Sequence, residues 1–63
     1  MKAEVLTIPK GKTELLTQFA LEQKLEFVVK RLNDAGAWCK VEYIRDRANV
    51  LASNGQRVCV KAI

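Results

Sequence analysis

Lysine and arginine are the side chains through which this sequence can act on another molecule. Lys10, Gly11, Lys12 and Thr13 stand where a β-prone run gives way to a helical one. In that context, free backbone N–H groups and a helix N-terminus can hold phosphate. The full phosphate-binding loop needs a glycine five residues before Gly11, and Leu6 occupies that position, so nucleotide hydrolysis is excluded. A narrower expectation survives: Lys10 and Lys12, with the first-turn N–H groups, contact one phosphate of a polyanion. Trp38, Lys40, Arg57 and Lys61 form a second group, carried on β-prone runs. Single-stranded nucleic acids are held on such surfaces, with rings stacking on bases and cations meeting phosphates. The plainer roles are turn and capping chemistry at residues 10–13 and a solvated charged face around Trp38.

Other chemistry is excluded more firmly. The chain has no histidine, which removes imidazole acid–base catalysis and every triad that depends on it. Cys39 and Cys59 form no CxxC pair, and two cysteines without histidine cannot complete a zinc site. They read as buried or half-buried free thiols. We therefore expect no catalytic residue, no metal and no cofactor. The expectation is a binding protein, not an enzyme.

Eleven lysines and arginines against seven acids give a net charge of +4, a bias that favours anionic partners. No stretch reaches the roughly 18 consecutive apolar residues of a membrane span. The start, MKAEVLTIPKGK, lacks the apolar core and cleavage site of a signal peptide. The expected location is cytoplasmic, with no membrane partner and with reduced thiols.

The element that must position these residues is the run Thr13 to Ala35, free of glycine and proline. Leu21, Leu25, Val28 and Leu32 recur at spacings of four, three and four, which aligns them on one helical face. Thr13 suits the N-cap, Glu14 the first turn, and Gly36 the position just past the end. As one helix, the run leaves no room for a helix-turn-helix or a ribbon–helix–helix.

The β-prone run 3–8 stops at Pro9, and residues 38–44 alternate in character. Asn54-Gly55 between two β-prone runs predicts a hairpin with a two-residue loop. That loop sets Ser53 opposite Gln56, Ala52 opposite Arg57, Leu51 opposite Val58 and Val50 opposite Cys59. Leu51, Val58 and Val60 then form the core side. A rival arrangement leaves 45–53 as a loop and pairs the Trp38 strand with the last one.

The expected fold is a single α+β domain over 1–63, β-α-β-β(-β), with one long helix on an antiparallel sheet. Its elements are a strand at about 3–8, a helix at about 13–35, a strand at about 37–45 and a hairpin at about 48–63 turning at 54–55. A domain of 63 residues buries only about 60% of its unfolded surface, which favours a partner subunit. The helix carries a second apolar stripe, Leu15, Phe19 and Phe27, roughly opposite the first. One sheet cannot cover both stripes, so these three are the expected interface of a homodimer.

Two functions remain in view. The first is a small accessory or regulatory protein that binds nucleic acid, DNA or RNA, through Lys10, Lys12, Lys40, Arg57 and Lys61 with Trp38 stacking. The alternative is an inhibitor or adaptor that docks its spare helix face or a strand edge on a larger protein.

Overall fold

The computed structural model describes residues 3–63; Met1 and Lys2, with which the leader reading begins, lie outside the described residues. The elements are β1 (Ala3–Ile8), α1 (Glu14–Asp34), β2 (Cys39–Ile44), β3 (Arg47–Ala52) and β4 (Arg57–Ala62). Four strands form one sheet in the order β1-β4-β3-β2, and α1 lies across one face. This is a small α+β domain. Among the described residues, no helix is long and apolar enough to cross a membrane.

The helix starts where Thr13, in extended conformation, accepts a hydrogen bond from the Leu16 N–H through its hydroxyl, 3.2 Å. Thr17 lies just inside, 4% exposed. Its hydroxyl accepts from the Gly11 N–H at 3.0 Å and donates to the Thr13 carbonyl at 3.1 Å. Gly11 passes tightly under this first turn: a Cβ there would stand 2.6 Å from the Leu16 Cβ and 2.8 Å from the Thr17 nitrogen. Only glycine fits the approach, and that approach sets where Lys10 and Lys12 emerge. At the far end Gly36, at φ 87°, adopts the left-handed geometry that stops a helix without a Cβ penalty.

Leu21, Leu25, Val28 and Leu32 are all buried, each contributing about 2 kcal/mol of transfer free energy from water. They pack on Ile8, Ala48, Val50, Val58 and Val60, with Leu6, Val41 and Cys39 at the margin. A salt bridge of 2.6 Å between Arg31 and Glu4 ties the last helical turn to the start of β1. Both side chains are about half exposed, so the pair adds little stability.

Two expectations are corrected. The sheet is mixed, because β1 pairs parallel with β4 while β4–β3 and β3–β2 are antiparallel. The cause is the helix, which carries the chain back along β1 so that β2 sets out in the direction of β1. Two hairpins then reverse direction twice and leave β4 running the same way. Once β4 lies beside β1, their pairing has to be parallel.

The second correction is the last hairpin. Ala52 pairs with Gln56, its N–H donating to the Gln56 carbonyl at 2.9 Å, while the Gly55 N–H donates to the Ala52 carbonyl at 3.1 Å. The loop therefore contains Ser53, Asn54 and Gly55, not two residues. Gly55 sits at φ 91°, and the Asn54 side chain accepts from the Gln56 N–H at 3.0 Å. This matches a type I turn closed by a left-handed glycine. The register moves by one, giving Val50↔Val58 and Leu51↔Arg57. A slip of one exchanges the faces of a strand, so Val50 is in the core and Leu51 lies on the opposite side. The rival loop at 45–53 is replaced by β3, which separates β2 from β4.

Candidate nucleic-acid interface

The helix covers one face of the sheet and leaves the other open. Alternation along each strand assigns Ala3, Val5 and Thr7, Arg57, Cys59 and Lys61, Arg47, Asn49 and Leu51, and Lys40, Glu42 and Ile44 to that open face. The register arranges them in rows across the strands. One outer row reads Lys40, Leu51, Arg57, Ala3; the middle row Glu42, Asn49, Cys59, Val5; the other outer row Ile44, Arg47, Lys61, Thr7. Two cations stand in each outer row, and the rows are about 13 Å apart, being four residues apart along a strand. Among the described residues the acid on this face is Glu42, with its carboxylate 3.9 Å from the Lys40 ammonium.

Three of the expected contact residues, Lys40, Arg57 and Lys61, thus share one surface. Trp38 extends the same edge. The Ser53 N–H donates to the Trp38 carbonyl at 2.8 Å and the Trp38 N–H donates to the Ser53 hydroxyl at 2.9 Å. The ladder therefore continues one pair beyond β2 and gives Trp38 the side of Lys40. Trp38 is 83% exposed, which leaves its ring open to stacking.

Lys10 and Lys12 are not on this face. They belong to the β1–α1 loop and line a concavity at one end of the sheet, with Thr13, Thr17, Arg45 and Asp46. That end is the one where Lys61 and Arg47 emerge, because the Ala62 N–H donates to the Asp46 carbonyl at 2.9 Å.

Arg47 and Arg45 were missed by sequence reasoning. Arg45-Asp46-Arg47 looks like a charged break, whereas 45–46 is the β2–β3 turn and Arg47 opens β3. No local signal placed Arg47: a two-residue loop would put it with Leu51 on the core side, and only the shifted register turns both to the open face. Arg45 carries a real cost: its φ is 49°, a left-handed conformation unfavourable by about 1–2 kcal/mol for a residue with a Cβ. Arg47 faces Lys61 directly across the ladder, and like charges so placed repel. Asp46, 4.0 Å from the Arg47 guanidinium, offsets only part of this. The open face therefore concentrates cations at a cost to folding.

The two thiols are separated by the sheet. Cys39 packs at the margin of the core, and Cys59 lies half-buried on the open face. No group of three or more cysteine or carboxylate side chains placed to hold a metal occurs among the described residues.

The apolar helix stripe stays outside the fold: Leu15, Phe19 and Phe27 are 76%, 58% and 60% exposed. Lys24 lies 5.6 Å from the centre of the Phe27 ring, a weak cation–π contact in this exposed setting.

Set against known proteins, the chain matches no family model, no curated protein and no solved structure, so what its basic face can do has to be argued from that face alone.

Proposed function

We propose that this is a small non-enzymatic accessory protein of the cytoplasm, working as a homodimer, that binds nucleic acid through its open sheet face. The observation that carries the reading is the grouping of Lys40, Arg47, Arg57 and Lys61 on one side of the sheet, in two rows, against a single acid among the described residues. A solvated face of random charge would mix signs, as the exposed flanks of α1 do with Glu22, Glu26, Lys30 and Arg31. Trp38 supplies an aromatic surface for a base, and the Lys10, Lys12 and Arg45 group extends positive charge around one end. Strands without complementary grooves read phosphate and base planes, so the binding is tolerant of sequence.

Fluorescence anisotropy of labelled single-stranded and duplex oligonucleotides, titrated over a salt series, tests this reading. Four phosphate contacts give a slope of log K against log salt of about −2.8 for a single strand and about −3.6 for a duplex. A curve that is flat with salt, or absent at low salt, removes the reading.

A second reading, a protein-binding adaptor, draws on the exposure of Leu15, Phe19 and Phe27. Rings and leucines grouped on one helical face form the kind of patch that a groove in a larger protein accepts.

A further inference from the structure

We infer that the homodimer forms through the free edge of β2, two copies of which pair antiparallel about a twofold axis at Val41 to give one continuous eight-stranded sheet. This rests on the homodimer reading above; what it adds is the surface, and it moves that surface away from the helix stripe.

The hydrogen-bond alternation of β2 comes first. Trp38 and Ser53 form a hydrogen-bonded pair, so in an antiparallel ladder Lys40–Leu51 and Glu42–Asn49 do as well. The backbone groups of Cys39, Val41 and Tyr43 are consequently turned toward the outer edge. β2 is terminal in the sheet; it carries no proline and no bulge, and the charges that would blunt its edge, Lys40 and Glu42, are of opposite sign and can pair across two copies. An added strand must meet those odd-numbered residues with its own bonding residues.

Two copies of β2 satisfy this in three central registers, and charge selects among them. Centring on Lys40 sets lysine against lysine, and centring on Glu42 sets glutamate against glutamate. Centring on Val41 sets Lys40 opposite Glu42 of the partner subunit, twice by symmetry, and opposed unlike charges stabilise while like charges destabilise. The same register sets Val41 opposite Val41 of the partner subunit, Cys39 opposite Tyr43 of the partner subunit, and Trp38 opposite Ile44 of the partner subunit. Trp38, Tyr43 and Ile44 are exposed large apolar residues of the single chain, and each gains a neighbour. About six backbone hydrogen bonds form.

The other edge offers nothing similar. Within β1 the charged residue is Glu4, already bonded to Arg31. Stacking two open faces would oppose two basic surfaces. Edge pairing instead sets them side by side, with the two Lys40–Glu42 pairs lying between the Arg47, Arg57 and Lys61 groups of the two copies.

The test is sedimentation equilibrium across the micromolar range on the full chain and four variants. The native chain is expected to be dimeric. Lys40→Glu and Glu42→Lys each replace two attractive pairs with two repulsive ones and weaken the dimer by about tenfold or more. The double exchange Lys40→Glu/Glu42→Lys restores complementarity and returns dissociation to within a few-fold of native. Phe19→Glu leaves the dimer intact. A native dimer that ignores the β2 exchanges, or that Phe19→Glu dissociates, overturns the edge assignment but keeps the homodimer. A native chain that stays monomeric overturns both.

Discussion

Neutralising Arg57 and Lys61 together is expected to weaken single-strand binding by about 70-fold at 50 mM salt. The figure follows from counterion release. Losing two of four phosphate contacts lowers the salt slope from about −2.8 to about −1.4, and over the twentyfold dilution from 1 M to 50 mM this is a factor of about 20 raised to 1.4. The variant Arg57→Gln/Lys61→Gln leaves both side chains long and polar, so the loss reports charge and not shape. Its fold should not suffer. Arg57 is exposed, Lys61 is half-buried, and Lys61 faces Arg47 across the ladder; removing one of two opposed cations is neutral or mildly stabilising. Binding and stability should therefore move in opposite directions in anisotropy and in urea unfolding. Equal affinity of the variant and the native protein would mean that the open face is not the contact surface.

The largest effect on folding is expected at Leu21. It is 1% exposed, in the second turn of α1, and belongs to the one core the described residues form. Leu21→Ala removes buried methyl groups and leaves a cavity, at a cost of about 3–5 kcal/mol. A single small core of this size supplies only about 3–5 kcal/mol of net stability. Most or all of the native population is then lost at room temperature, to be seen as loss of helical circular dichroism without denaturant. Phe19→Ala is the matched control on the same helix. Phe19 is 58% exposed, and the expected change lies within about 0.5 kcal/mol. A large and concentration-dependent loss at Phe19 would instead show that another molecule covers the helix stripe.

How much of this was legible in the sequence differs from element to element. The helix and its buried face follow from local spacing, since Leu21, Leu25, Val28 and Leu32 lie close together in the chain and need only one surface to bury against. The parallel pairing of β1 with β4 joins residues more than fifty positions apart, and no local pattern specifies which strand a first strand will choose. The hairpin shows a subtler limit. Asn54-Gly55 suits a two-residue loop and equally a three-residue loop whose last residue is left-handed. The three-residue loop is accompanied by a local bond from the Gln56 N–H to the Asn54 side chain, which the Asn-Gly dipeptide does not by itself specify. Because side chains alternate, that single-residue difference moved Leu51 out of the core and brought Val50 in.

The basic face was partly legible for the same reason. Lys40, Arg57 and Lys61 lie in runs whose strand character was plain. Arg47 joins them only once β3 is known to begin there and to pair with β4. Lys10 and Lys12 were read from the strand-to-helix turn they occupy, and Gly11 with the first turn of α1 holds them there, at the end of the sheet and off its open face.

The most direct test of the central proposal is to map amide chemical shifts of the isotope-labelled protein during titration with a single-stranded oligonucleotide. The account predicts shifts confined to Trp38, Lys40 and Glu42, to Arg47, Asn49 and Leu51, and to Arg57 through Lys61, with smaller ones at Lys10, Lys12 and Arg45. Leu15, Phe19 and Phe27 should stay still. Shifts centred on the helix stripe with a quiet sheet, or none at low salt, would contradict it.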